Sequence, residues 1–168
     1  VTLLHQLFTA LGYRAGLIGT VENRIGNDVL PSSHTTPDAV SVQALLRHMA
    51  DAGCSHVFME ASSHAIQQRR IAGAKFRGAV FTNLTHDHLD YHKTFDEYIR
   101  AKKGFFDQLG SDAFALYNAD DRNGKIMVQN TKAAKKSFGL KSMADYRCRI
   151  IENSITGLML SIDGNEVL

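Results

Sequence analysis

The stretch Phe81–Lys103, F-T-N-L-T-H-D-H-L-D-Y-H-K-T-F-D-E-Y-I-R-A-K-K, decides the fold class. Upstream of it Gly78-Ala79-Val80-Phe81 is a short apolar run, which reads as a buried strand. A polar cluster follows, with His86, Asp87, His88, Asp90 and His92 within a few residues. A helix over about Phe95 to Leu109 comes next, because Phe95, Tyr98, Ile99, Phe106 and Leu109 recur at helical spacing. Lys102 falls inside that apolar stripe, four residues after Tyr98 and four before Phe106. A lysine so placed either lays its stem along apolar surface or carries a perturbed amine.

Strand, polar loop, helix is the α/β repeat, and the flanking sequence continues it. Val1 to Leu11 reads as an amphipathic helix with Leu3, Leu4, Leu7, Phe8 and Leu11 as its apolar residues, and Gly12 as its C-cap. Ala15 to Thr20 is a strand, and Val21 to Val29 a hairpin turning at Gly26-Asn27. Thr36 and Pro37 are expected as N-cap and first residue of a helix ending at Gly53. His56 to Met59 and Phe114 to Tyr117 are strands, with a short helix from Lys125 to Gln129. From Tyr146 on, alternation with turns at Thr156-Gly157 and Asp163-Gly164 predicts antiparallel strands. The expectation is α/β: a mostly parallel sheet flanked by helices, with a small antiparallel region near the C-terminus. Such sheets bind ligands beyond the carboxyl ends of their strands. Three polar clusters fall there: Glu60–His64, Asn83–His92 and Asn118–Asp121.

Composition narrows the function classes. The 168 residues are 44% hydrophobic and 21% charged, which suits a globular domain rather than a disordered chain. A formal net charge of +2 gives no footprint for nucleic acid. No apolar run is long enough to span a bilayer. Cys54 and Cys148 lack metal-type spacing and are expected as free thiols in a reducing, cytoplasmic setting. The chain begins at Val1, directly in helix and without a cap, as expected of a fragment.

Two chemistries compete at the polar clusters. His86, His88, Asp90 and His92 suggest a metal-dependent hydrolase, but Tyr91 occupies the place where the His-x-His-x-Asp-His motif needs a histidine. A single histidine of this cluster with carboxylates suits Mg²⁺ as much as Zn²⁺. Ser62-Ser63-His64 lacks the Gly-x-Ser-x-Gly elbow of a serine hydrolase. Arg70 suits paired hydrogen bonds to a carboxylate or phosphate. Thr35 and Thr36, at the expected helix start, suit an anion. A desolvated Lys102 amine can add CO₂ and become a carbamate, an anionic metal ligand.

Taken in order, Thr35-Thr36-Pro37, Met59-Glu60-Ala61-Ser62-Ser63-His64, the run Phe81 to His92, Ala101-Lys102 and Asn118-Ala119-Asp120-Asp121 resemble the Mur ligases. The muramyl-tripeptide branch is the nearest, and folylpolyglutamate synthetase is a related alternative. The resemblance covers nearly the whole chain and corresponds to the central ATP-binding domain of a three-domain enzyme. It implies ATP-dependent ligation of a diamino acid, meso-diaminopimelate or L-lysine, to the D-Glu carboxylate of UDP-MurNAc-L-Ala-D-Glu. It implies Lys102 as a carbamylated lysine, and Glu60, His88 and Lys102 as the Mg²⁺ site. It implies Thr35, Thr36, Ser62, Gln68 and Arg70 at the muramyl substrate, and Asn118, Asp120 and Asp121 at the ATP adenosine. The family's phosphate loop is expected immediately before Val1, and a C-terminal domain after the chain. Residues 1–168 alone are therefore expected to be inactive.

Overall fold

The computed structural model describes residues 1–32, 34–84, 94–155 and 157–167. They form two compact units, residues 1–75 and 76–168.

In the first unit α1 (Thr2–Ala10) leads into β1 (Ala15–Ile18), whose four residues are all buried. The expected hairpin follows as β2 (Glu22–Ile25) and β3 (Asp28–Pro31), with Gly26 at φ +61° in the turn. Then come α2 (Ala39–Asp51), β4 (His56–Met59) and the short α3 (Ser63–Gln67). The sheet order is β3-β2-β1-β4, with β4 parallel to β1 and the hairpin antiparallel. Ile18 pairs with Met59, so the residues just beyond both, Thr20 and Glu60, emerge at one edge.

Two expectations in this unit are corrected. The apolar residues of α1 do not all face the sheet: Leu3 and Leu7 are exposed, while His5 is buried. A polar ring is tolerated there because His5 Nε2 lies 3.1 Å from the Gly26 carbonyl oxygen. Phe8 faces inward as well, against Phe58 at 5.0 Å between ring centroids. The second correction concerns α2, which is capped by Asp38 rather than Thr36. The Asp38 carboxylate accepts from the Val40 and Ser41 amides, each at 3.0 Å, and from Ser41 Oγ at 2.6 Å. A carboxylate both accepts these bonds and meets the positive end of the helix dipole, so it outcompetes a threonine two residues upstream. Pro37 thus precedes the helix. Thr35 and Thr36 therefore lie upstream of its start.

In the second unit β5 (Gly78–Phe81), α4 (Phe95–Asp107), β6 (Phe114–Asn118) and α5 (Gly124–Met127) are followed by β7 (Ala134–Gly139), β8 (Tyr146–Ser154), β9 (Gly157–Ile162) and β10 (Asn165–Val167). Strands β5 to β8 run parallel, and β8 to β10 antiparallel, as expected for the C-terminal part. The turn into β10 holds Asp163 at φ +50° and Gly164 at φ +87°. The core packs Phe81, Ala115, Phe106, Leu109, Met127 and Val128, with Ile99 and Phe105 against it. Strand β7 was not expected. Both cysteines are free, and among the described residues no helix is long and apolar enough to cross a membrane.

Candidate functional site

The carboxyl end of β4 in the first unit gathers most of the expected substrate residues. Glu60 follows Met59 directly and is partly buried. Thr20 Oγ1 donates to Glu60 Oε2 at 2.5 Å and lies 3.1 Å from Thr35 Oγ1. Thr36 is 1% exposed; its hydroxyl donates to the Glu60 carbonyl at 2.7 Å and accepts from the Ser62 amide at 3.4 Å. Ser62 caps α3, its Oγ accepting from the Ala65 amide at 3.2 Å. Arg70 bends back to the same place because Arg69 reverses the chain at φ +55°. Its Nε donates to Gln68 Oε1 at 2.8 Å and its Nη1 to the Thr36 carbonyl at 3.0 Å. Thr35, Thr36, Glu60, Ser62, Gln68 and Arg70 therefore form one connected cluster.

In the second unit α4 carries Lys102. Tyr98 and Phe106, one turn to either side, are both 4% exposed. Lys102 Nζ stands 5.3 Å from the Tyr98 ring centroid. Burial lowers the pKa of this amine below the ordinary lysine value, because the ammonium loses hydration that an aromatic face replaces only in part. The adjacent Lys103 behaves differently, pairing with Asp107 at 2.7 Å. The stripe read from the sequence thus does desolvate the lysine placed within it.

The carboxyl end of β6 forms a clamp. Asn118 Nδ2 donates to the Thr82 carbonyl at 2.8 Å, and its Oδ1 accepts from the Asp120 amide at 2.9 Å. Asp120 accepts backbone N–H bonds from Leu140 (2.6 Å), Lys141 (3.1 Å) and Ser142 (2.6 Å). These bonds stabilise its ionised form and hold its pKa at about 2. Asp121 Oδ2 accepts from the Leu84 amide at 2.9 Å and its Oδ1 from the Asn123 amide at 2.8 Å. Asn118, Asp120 and Asp121 thus tie together the ends of β5, β6 and β7.

Glu60 belongs to the first unit and Lys102 to the second, and His88 lies outside the described residues. So do His86, Asp90 and His92 of the hydrolase alternative. Among the described residues no group of three His, Cys, Asp or Glu side chains is placed to hold a metal. The donor chemistry of Glu60, a carboxylate met by a hydroxyl, fits a hard divalent cation such as Mg²⁺. Two residues of the first unit escaped the sequence reading. Thr20 stands at the carboxyl end of β1, the edge where α/β sheets place ligands. Asn23 lies mid-strand, where asparagine is disfavoured, and that was its available signal.

Comparison with known proteins identifies relatives of the chain. The model of the Mur ligase middle domain matches residues 1–167. The UDP-N-acetylmuramoyl-L-alanyl-D-glutamate--2,6-diaminopimelate ligase of Cytophaga hutchinsonii is 56% identical over 164 residues, covering 98% of this chain and 34% of that protein. A solved structure of an enzyme with the same name superposes with a TM-score of 0.83 at 29% identity, covering 96% of this chain and 34% of that one. E. coli FolC in complex with DHPP and ADP superposes with a TM-score of 0.64 over 98% of this chain and 43% of that one; at 16% identity the likeness is one of fold. The chain spans about a third of the length of the curated relatives it matches.

Proposed function

The chain belongs to the Mur ligase middle-domain family, and from that membership we propose that it is the central ATP-binding part of a carbon–nitrogen ligase of peptidoglycan precursor synthesis. The parent joins a diamino acid to the D-Glu carboxylate of UDP-MurNAc-L-Ala-D-Glu with consumption of ATP, in the cytoplasm. The names of the relatives favour 2,6-diaminopimelate over lysine. The phosphate loop of the ATP-binding domain, the N-terminal domain and the C-terminal domain that selects the amino acid are further parts of the same parent. The observation that carries the reading is Lys102, a buried amine of lowered pKa within the apolar stripe of α4.

ATP phosphorylates the D-Glu carboxylate to an acyl phosphate. The incoming amine attacks that carbonyl, and the tetrahedral intermediate expels phosphate. The obstacle is repulsion between an anionic carboxylate and an anionic triphosphate, which preorganised cationic groups offset. Arg70, held by Gln68 and the Thr36 carbonyl, presents its guanidinium to the substrate carboxylate. Thr35, Thr36, Ser62 and Gln68 line the muramyl-peptide side, and Thr36 also ties the Glu60 carbonyl, the Ser62 amide and the Arg70 guanidinium together. Asn118, with Asp120 and Asp121, forms the adenosine side. Glu60, His88 and carbamylated Lys102 would hold Mg²⁺, whose positive charge neutralises the transferring phosphoryl group. Addition of CO₂ to the neutral Lys102 amine, with loss of a proton, turns a cation that repels metal into an anionic oxygen ligand.

The test is incubation of the purified full-length parent with ATP, Mg²⁺, UDP-MurNAc-L-Ala-D-Glu and 2,6-diaminopimelate or lysine, followed by mass spectrometry. A product heavier by one diamino-acid residue, formed with equimolar ADP, is expected. Absence of that product with either amino acid refutes the ligase. Zinc-dependent hydrolysis in its place installs the hydrolase alternative.

A further inference from the structure

A cleft of about 530 Å³ opens in the first unit, lined among others by Asn23, Leu30, His34, Asp38, Leu45 and Arg70. Asn23 is 4% exposed, and its side-chain oxygen is buried with no hydrogen-bond partner. On β2 it pairs across the sheet with Ile18 on one side and Leu30 on the other, so the strands offer it apolar neighbours. Buried polar atoms in folded proteins are nearly always satisfied, and an orphan calls for an explanation.

We infer that Asn23 is a further substrate-recognition residue, its carboxamide accepting a hydrogen bond from an N–H of the peptide carried by the muramyl substrate. The assignment rests on the ligase reading above. The side chains that line the cleft suit this occupant. The Asp38 carboxylate is spent on capping α2, with its oxygens on Val40, Ser41 N and Ser41 Oγ. Arg70 uses Nε and Nη1 within the protein, and its Nη2 makes no bond among the described residues. The cleft therefore offers the Arg70 guanidinium, the unpartnered Asn23 oxygen and an apolar wall from Leu30, Pro31 and Leu45. A short peptide with a free carboxylate, an amide N–H and an alkyl side chain matches all three. Asn23 departs from good packing because the ligand, rather than the protein, satisfies it. Such a residue limits stability in the empty protein and contributes in the complex.

The experiment measures binding of UDP-MurNAc-L-Ala-D-Glu and, separately, of ATP to the full-length parent by calorimetry, with thermal melting of the ligand-free protein. Wild type is compared with Asn23→Leu and Asn23→Ala. One neutral hydrogen bond is worth roughly a 3- to 10-fold change in Kd. Both variants are expected to bind the muramyl peptide that much more weakly with ATP affinity unchanged, and Asn23→Leu is expected to melt no lower than wild type. Asn23→Ala keeps the test alive should leucine overfill the cleft. Unchanged affinity for the muramyl peptide in a folded variant overturns the assignment, leaving Asn23 as a group satisfied by water alone. Equal loss of both ligands overturns it too, because that marks general damage. Failure of the wild type to bind the muramyl peptide overturns the ligase reading, and this inference with it.

Discussion

Gly124 and Gly104 are both helical glycines, and the structure assigns opposite signs to their replacement by alanine. Gly104 lies in α4, and a Cβ built on it meets nothing within 4 Å. Gly104→Ala therefore reads out propensity alone, a gain of about 0.5–1 kcal/mol. Gly124 is the first residue of α5, where the chain folds back against the end of β6. Its Cβ would overlap the Asn118 carbonyl oxygen and stand 3.1 Å from Tyr117 Cδ2 and 3.2 Å from the Asn118 carbonyl carbon. The obstacle is backbone, which cannot rotate away as a side chain would. Overpacking of this kind costs about 1–3 kcal/mol, toward the upper end where backbone must move. Set against a propensity gain of at most about 1 kcal/mol, the net effect is a loss of about 1–2 kcal/mol. For a domain of this size that lowers the melting temperature by about 2–8 °C, whereas Gly104→Ala raises it by about 1–4 °C. Thermal melting of the full-length parent and the two variants makes the comparison. The displaced residue is Asn118, whose side chain joins the Thr82 carbonyl to the Asp120 amide. Gly124→Ala should therefore also raise the KM for ATP, while Gly104→Ala leaves it alone. A Gly124→Ala protein at least as stable as wild type, with an unchanged KM for ATP, refutes both the packing argument and the placing of the adenosine at Asn118.

Two further outcomes follow from ionisation. The folded-state pKa of Asp120 is depressed from 3.8 to about 2, so its contribution is fully present above pH 3.8 and lost as pH falls through about 2. Asp120→Asn should flatten the acid limb of the stability curve in that window, as followed by circular dichroism; an acid limb identical to wild type would remove the clamp on residues 140–142. Burial lowers the Lys102 pKa as well, but here it is the neutral form that gains, so the free amine appears at lower pH than for a solvated lysine. Parent enzyme stripped of CO₂ should lose activity and regain it with bicarbonate, with a one-carbamate mass increment mapped to the peptide holding Lys102; Lys102→Arg should show neither response.

What was legible in the sequence depended on whether a residue's partner was near it in the chain. The Lys102 environment could be read because helical period alone sets Tyr98, Lys102 and Phe106 on one face. The hairpin at Gly26-Asn27 could be read because turn chemistry is local. Strand β7 could not: Ala134 to Gly139 contains two lysines and no apolar run, and it is a strand because β6 offers a parallel edge from Phe114 to Asn118. Asp145 reinforces it, accepting from both the amide and the hydroxyl of Ser137. Capping of α2 was misassigned by two residues because Thr36 and Asp38 are both competent caps, and the choice was made elsewhere. Thr36 is drawn off by Glu60 and Ser62, which are remote in sequence. The same distance in sequence hid the Asp120 clamp, whose donors lie 20 to 22 residues downstream. The motif Asn118-Ala119-Asp120-Asp121 resembled a nucleotide site, yet most of its polar atoms serve the sheet. A motif can therefore mark a site by fixing the backbone from which other groups reach the ligand, and the clamp variants separate those two roles: loss of ATP affinity with intact folding indicates contact, and loss of both indicates the scaffold.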